Sequence, residues 1–361
     1  MLLGALLAAS GASQELDVSA RLVPIRAKHD VPALGAVILR DGAIVATGAT
    51  GVRKRGDQAL VTVDDVWHLG SCTKAMTATL LAIVAEDAKL ALDTTLAEAF
   101  PEHLEAMHAD WQRVTLRQVL EHRGGFEANL GGALALATAV VDQPRQQRAA
   151  LLGPLFKSPP HYAPGSKMLY SNLGYTVIGA ALERRLDVDF DELMRKRLFA
   201  PLDMQSAGFG PPGRPDVVDQ PWGHRPRGRH APVRPGTGAD NPAVIGPAGR
   251  AHASLSDWAK FVALHLGQAK GDATLLDAET LATLHDAGDD DYALGWGKAQ
   301  QAGVTGPILT HAGSNTMWFA LVWAAPAEGW AVLTACNQGD DNARDACRAV
   351  VKDLAATARQ R

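Results

Sequence analysis

The chain has 361 residues, 47% of them hydrophobic and 20% charged, and a formal net charge of −4 at pH 7. This length can bury a large core or form two lobes, and the weakly acidic balance favours no nucleic-acid partner. Neither His-Glu-x-x-His nor Cys-x-x-Cys occurs, so the sequence predicts no metal site. No glycine-rich phosphate loop joins a strand to a helix, and we expect no cofactor.

The first segment, residues 1–13, is apolar and ends in small residues, which is typical of the later part of a secretion signal. It lacks a basic start, so the true start of the chain stays open. The segment is too short to span a membrane, and no other stretch is long enough. We expect a periplasmic or secreted protein whose signal is cleaved; a cytoplasmic protein with an apolar leader is the alternative.

The predicted elements follow in chain order. Residues 15–29 predict an amphipathic helix, and residues 34–46, around Asp41-Gly42, predict a β-hairpin. Helical segments separated by Pro- and Gly-rich loops follow, and long loops at 153–168 and 208–247 are typical of active-site walls. The remaining predictions are helices at 254–266 and 277–287, strands at 293–298, 308–310, 317–324 and 330–336, and a last helix at 342–357.

Strands at both ends with helices between them predict an α/β (α+β) fold. One antiparallel sheet would be assembled from both chain ends, and the terminal helices would cover one of its faces. We expect residues 15–90 and 241–361 to form this sheet lobe and residues 91–240 to form an inserted, mostly helical lobe. Ser71 would lie at the seam between the lobes, where pockets form preferentially.

A serine and a lysine three residues apart, Ser71 and Lys74, stand at the start of an apolar helical run. Side chains at this spacing are neighbours on one helix face, so Ser71 Oγ and Lys74 Nζ can meet. A serine nucleophile needs an adjacent base, and burial can lower the pKa of lysine enough to provide one. The Ser71 N–H can also donate to an oxyanion. A capping serine beside a solvated lysine is the alternative.

Two later segments supply candidate partners. Tyr170-Ser171-Asn172 lies on a loop before an apolar helical run. Tyr170 can pass a proton to a leaving group, and Asn172 can hydrogen-bond both Lys74 and a substrate amide. A packed tyrosine followed by a capping asparagine is the alternative for this segment.

The second segment, His311-Ala312-Gly313-Ser314, follows a strand-like run. Gly313 lets a substrate approach an edge strand closely, and the Ser314 N–H can be a second oxyanion donor. His311 can orient the substrate or the tyrosine. An ordinary half-buried histidine is the alternative.

Together these motifs resemble the serine β-lactamase and penicillin-binding-protein superfamily, and within it the class C β-lactamase-like branch, which includes family VIII esterases and D-amino-acid peptidases. The resemblance covers about residues 18–358 and includes Leu116–Gly125, which is similar to that branch's Leu-Leu-x-His-x-Ser-Gly segment. It implies that Ser71 is the acylated nucleophile, that Lys74 is its base and that Tyr170 shares in proton transfer. It also implies that Asn172 and the segment 311–313 bind the substrate.

The segment His311-Ala312-Gly313 stands where β-lactamases carry Lys-Thr-Gly. Histidine is mostly neutral near pH 7, and Ala312 has no hydroxyl, so an ester or small amide is a better substrate than a β-lactam. We therefore expect a serine hydrolase that works through an acyl-enzyme on a small ester, amide or peptide. The alternatives are a β-lactamase, a penicillin-binding protein that acylates with little turnover, and a silent scaffold. The sequence leaves open the oligomeric state and whether Cys336 and Cys347 form a disulfide.

Overall fold

The computed structural model of the protein describes residues 15–88, 90–226, 231–269, 275–288 and 290–360. The predicted signal at 1–13 lies outside these residues. Across the described ranges, no helix combines the length and the apolar character that a membrane crossing requires.

The strands of the described residues are β1 (Leu16–Asp17), β2 (Ala33–Arg40), β3 (Ala43–Gly51), β4 (Val66–His68), β5 (Gly208–Phe209), β6 (Gly223–His224), β7 (Pro232–Val233), β8 (Ala251–Ser254), β9 (Gly297–Ala299), β10 (Ile308–Ser314), β11 (Phe319–Ala325) and β12 (Trp330–Cys336). The α-helices are α1 (Ser19–Lys28), α2 (Thr73–Ala88), α3 (Leu96–Ala99), α4 (Ala109–Gln112), α5 (Leu116–Leu120), α6 (Gly132–Ala139), α7 (Pro144–Lys157), α8 (Asn172–Leu186), α9 (Phe190–Met194), α10 (Gly246–Gly249), α11 (Leu255–His265), α12 (Ala278–His285) and α13 (Asp341–Gln360).

One seven-stranded sheet lies at the centre, with the order β1-β3-β2-β12-β11-β10-β9. It is built from both ends of the chain, so the predicted fold class is confirmed. One pair departs from the antiparallel pattern, because Leu16 and Asp17 pair in parallel with Ala46 and Thr47. The helix predicted over 15–29 is therefore shorter and begins at Ser19, whose N–H donates to Asp17 Oδ1 at 2.8 Å.

Helices cover both faces of this sheet, which explains why β2 and β12 are apolar except for Arg40 at the end of β2 and Thr334 in β12. On one face, alternate residues such as Trp330 and Val332 pack under α13, while α1 lies over β2 and β3. On the other face, Leu333 belongs to the larger core that contains α2, α8 and α11. Cys336 and Cys347 lie in the first of these cores as free thiols, so the structure contains no disulfide between them.

Other local predictions differ from the structure. The strand predicted at 308–310 continues to Ser314, so the segment 311–314 lies within β10 and not after it. The loop predicted at 153–168 begins later, because α7 continues through Gly153 and Pro154 to bury Leu155 and Phe156. The strand predicted at 293–298 is reduced to β9, since the Ala293 N–H donates to Trp296 O and closes a turn there. The long loop predicted at 208–247 contains the short strands β5, β6 and β7.

Candidate active site

Ser71 lies in the 3₁₀ turn Gly70–Cys72, immediately before α2 rather than within it. Gly70 has a φ of +49°, in the left-handed region that favours glycine. The Thr73 hydroxyl donates to Gly70 O at 2.7 Å and accepts the N–H of Ala251 at 3.0 Å. These bonds tie the nucleophile turn to β8 and leave the Ser71 side chain half-buried.

Lys74 is fully buried, and its Nζ lies 3.3 Å from Ser71 Oγ. The same nitrogen is 2.6 Å from Asn172 Oδ1 and 2.8 Å from Ala248 O. Burial lowers the pKa of Lys74 well below its usual value. A neutral amine has two N–H groups and one lone pair. In its deprotonated form the amine can donate its two N–H groups to these carbonyl oxygens, which leaves its lone pair for the Ser71 hydroxyl.

A buried polar chain supports the turn from the other side. His68 Nδ1 accepts the Gly70 N–H at 3.1 Å, so its Nε2 carries the proton that is donated to Asp240 Oδ1 at 2.7 Å. Asp240 Oδ2 in turn accepts from Arg250 Nε at 2.7 Å. The hydrogen bonds from His68 and Arg250 hold the pKa of Asp240 below its ordinary value despite burial. This chain joins the loop before α10 to the residue that precedes the nucleophile.

Tyr170 is half-buried on the loop before α8, and Lys74 Nζ lies 4.6 Å from its ring centroid. Burial raises the pKa of the Tyr170 phenol, and a hydrogen bond with Ser71 opposes this shift without cancelling it. Tyr170 therefore carries its proton at neutral pH and can donate it.

His122 holds this loop in place. Its carbonyl accepts the Leu169 N–H at 2.8 Å, and its Nδ1 accepts the Ser171 N–H at 3.0 Å. The two bonds lie on either side of Tyr170, whose ring centroid is 4.4 Å from that of His122. Sequence reasoning gave His122 no role of its own, although it lies in the quoted segment Leu116–Gly125, the only signal that pointed to it.

Asn172 bridges the two parts of the site. Its Oδ1 accepts from Lys74, as the sequence predicts, and its Nδ2 donates to Asn129 Oδ1 at 2.7 Å. The amide orientation is thus fixed from both ends. Its contact with a substrate amide stays a prediction.

Gly313 brings β10 into direct contact with the nucleophile turn. A Cβ placed on Gly313 would lie 1.9 Å from Leu69 O and 2.8 Å from Ser71 N, and one on Gly70 would lie 2.3 Å from Ser314 N. Only glycines fit at this crossing. The backbone N–H groups of Ser71 and Ser314, the two predicted oxyanion donors, therefore belong to segments that touch.

The outer edge of β10 is open beside this crossing, because β9 pairs only with residues 308–310. The Lys298 N–H donates to Asp291 O and therefore points away from β10. The backbone groups of its neighbour Gly297 point the other way and face Thr310. Backbone direction alternates along a strand. Ala312 and Ser314 therefore direct their backbone groups to the open edge, where an extended substrate segment can pair with them.

His311 is a neutral residue in this structure. Burial lowers its pKa to about 3, and positive charge on Lys74 acts in the same direction. Its Nδ1 lies 2.8 Å from Ala312 O, which can only accept, so Nε2 is unprotonated and accepts from the Tyr292 hydroxyl at 3.1 Å. The tyrosine that His311 orients is thus Tyr292, a residue that sequence reasoning did not single out, and not Tyr170.

Within the described ranges, no group of three or more His, Cys, Asp or Glu side chains is arranged to hold a metal ion. The assembled groups are a serine, a buried amine whose pKa is lowered, a phenol and backbone N–H donors. This set suits attack on a carbonyl carbon followed by proton transfer to the leaving group.

Comparisons with known proteins agree with this chemistry. The chain is 26% identical over 346 residues to penicillin-binding protein 4 of Amycolatopsis lactamdurans, covering 88% of this chain and 84% of that protein. It is 29% identical over 226 residues to the lovastatin esterase of Penicillium rubens, covering 58% of this chain and 54% of the esterase. The crystal structure of a class C beta lactamase from Rhodobacter sphaeroides shares the fold, with a TM-score of 0.75, 19% identity and coverage of 93% and 98%. A model of the Beta-lactamase family matches residues 18–357, and the chain therefore belongs to the Beta-lactamase family.

Proposed function

We propose that this protein is a serine hydrolase that cleaves a carboxylic ester or small amide through an acyl-enzyme. The observation that carries the proposal is the fully buried Lys74 Nζ, which lies 3.3 Å from Ser71 Oγ and whose pKa is lowered well below its usual value by burial. A base in this position is what a serine nucleophile requires. The names of two relatives, a penicillin-binding protein and an esterase, support the same class of reaction.

In the first half-reaction, Ser71 Oγ transfers its proton to Lys74 Nζ and attacks the carbonyl carbon. The resulting oxyanion accepts hydrogen bonds from the N–H groups of Ser71 and Ser314. The bond to the leaving group then breaks. Tyr170 gives its proton to the departing oxygen or nitrogen and recovers one from the Lys74 ammonium.

In the second half-reaction, water attacks the acyl-enzyme and gives up a proton to the neutral Lys74, directly or through Tyr170. The tetrahedral intermediate collapses, Ser71 recovers its proton and the carboxylic acid leaves. The raised pKa of Tyr170 favours a relay that starts and ends as the neutral phenol.

An ester or small amide suits the site better than a β-lactam. His311 is neutral and bonded to Tyr292 and Ala312 O, and Ala312 has no hydroxyl. The position that would hold a cation in a β-lactamase therefore offers no charge to a carboxylate beside the reacting carbonyl. Slow acylation by penicillins, with little turnover, is the second candidate, because it needs only the Ser71 and Lys74 pair.

The test is active-site labelling combined with ester turnover. We expect a fluorophosphonate to add one adduct, located on Ser71 by peptide mass spectrometry, and p-nitrophenyl acetate to be cleaved. Ser71→Ala should lose both activities, and the exposed-loop control Ser166→Ala should keep both. Stable labelling by a fluorescent penicillin without ester turnover would favour the slow acylator. An absence of both labelling and turnover would refute the hydrolase.

We also propose that the protein is exported, on the strength of the apolar segment at 1–13. Expression from the natural start should yield a periplasmic protein whose N-terminal sequence begins after that segment. Recovery of an uncleaved chain from the cytoplasm would contradict this proposal.

A further inference from the structure

A groove of about 570 Å³ opens beside the catalytic residues, with Tyr170 and Ala312 in its lining. Phe319, Leu321 and Trp323 form its floor. They alternate along β11, so their side chains share one face of the sheet. Phe319 pairs with Ser314, which places the Phe319 end of the floor nearest the nucleophile turn.

The wall of the groove is α13, which contributes Arg344, Arg348 and Lys352. These cations recur every four residues, so they share one face over about 12 Å. β12 ends opposite Phe319 and α13 begins shortly after it, so the helix runs back along the floor with Arg344 at the Phe319 end and Lys352 at the far end.

The three cations are not equivalent. Arg344 is paired with Asp341 at 2.8 Å and with Asp345 at 3.5 Å. Arg348 and Lys352 are exposed, and within the described parts of the chain neither forms an ion pair with a carboxylate. The unneutralised charge of the groove therefore lies in its middle and at its far end, above an apolar floor.

We propose that this groove binds the leaving-group arm of the substrate, and that the arm is an apolar chain ending in a carboxylate held by Arg348 and Lys352. The inference rests on the proposed hydrolase function, because Tyr170 must lie next to the leaving-group atom that it protonates. The arm beyond that atom then enters the groove. The floor from Phe319 to Trp323 spans about 13 Å, which sets the length of the apolar spacer. An ester of a long ω-hydroxy acid has this chemistry.

The test uses the acetyl ester of 10-hydroxydecanoic acid and the acetyl ester of 10-hydroxydecanamide, which have the same length but differ in charge. We expect the wild-type protein to prefer the acid, with a KM about tenfold lower. The variant R348Q/K352Q should lose this preference and the salt dependence of KM for the acid. It should cleave p-nitrophenyl acetate at the wild-type rate, because that substrate does not reach the cations.

A matched control is K28Q/K157Q, which removes the same charge from two exposed lysines outside the groove lining and should keep the preference. Calorimetric binding of 10-hydroxydecanoic acid and its amide to the Ser71→Ala protein tests the groove independently of turnover. Equal affinity for acid and amide, or an acid preference that survives R348Q/K352Q, would overturn the inference. Loss of p-nitrophenyl acetate turnover in the wild type would instead refute the hydrolase, while selective binding of the acid would still support the groove.

Discussion

Replacing Gly313 with alanine should disable the site while leaving most of the protein folded. The backbone at Gly313 is not in the left-handed region, so alanine meets no conformational barrier there. The obstacle is steric, because its Cβ would lie 1.9 Å from Leu69 O, well inside the 3.0 Å that Cβ contacts essentially never breach. The strand and the turn must therefore separate by about 1 Å, which moves the N–H groups of Ser71 and Ser314 apart.

A displacement of this size corresponds to a fall in kcat of about 100-fold, similar to the loss of one oxyanion donor. Overpacking should lower the free energy of unfolding by about 1–3 kcal/mol. Steady-state turnover of p-nitrophenyl acetate and urea unfolding measure the two effects. The control is Gly153→Ala, whose Cβ would have its nearest neighbour at 4.0 Å. It should leave kcat unchanged and raise the free energy of unfolding by up to about 1 kcal/mol, because alanine is the better helix former. A folded Gly313→Ala protein with kcat within about twofold of wild type would refute the proposed contact.

Three further outcomes follow from buried charges. As pH rises, kcat/KM should increase with a midpoint well below the usual lysine pKa of about 10.4, because burial lowers the pKa of Lys74. It should not decrease again up to about pH 10, because burial raises the pKa of Tyr170. A midpoint near the usual lysine pKa would contradict this. Lys74→Met should abolish turnover. The wild type, unlike this variant, should gain about 1.4 kcal/mol of unfolding free energy per pH unit as pH rises between the folded and unfolded pKa values of Lys74. The reason is that the unfolded chain then holds the proton that folded Lys74 has lost. Urea titrations at two pH values compare the slopes, and equal slopes would show that folded Lys74 is charged. Glu183→Gln should lower the unfolding free energy by about 3–5 kcal/mol, because it leaves buried Arg148 without its counter-charge. The control Glu192→Gln, which breaks an exposed ion pair, should lower it far less. Similar urea midpoints for the two variants would contradict this.

Features that depend on neighbouring residues were predictable from the sequence. The strand at 330–336 has the predicted bounds, because a run between turns that is apolar except for Thr334 suits a strand covered on both faces. The approach of Lys74 to Ser71 follows from their spacing of three residues, even though Ser71 lies in a 3₁₀ turn. The helix through Pro154 was not predictable from local rules, because the burial of Leu155 and Phe156 outweighs the proline.

Features that depend on distant contacts were not predictable. His122 bonds the backbone on both sides of Tyr170, nearly fifty residues later, and no periodic pattern encodes this arrangement. The pairing of His311 with Tyr292 joins a strand to a residue for which the sequence predicted no role, just before the strand predicted at 293–298. The Leu16–Asp17 strand is too short to produce an alternating pattern. Each of these features arises when the sheet brings separate segments together.

The crossing of Gly70 and Gly313 also determines when the protein becomes reactive. Ser71 is synthesised early, but the proposed second oxyanion donor, Ser314, comes from a strand that is synthesised much later. A nascent chain that still lacks β10 carries a serine without an oxyanion site, and it should remain chemically silent on the ribosome. Electrophilic labels would then react with finished molecules but not with unfinished ones during synthesis. The late synthesis of the last strands would thus prevent premature acylation of Ser71.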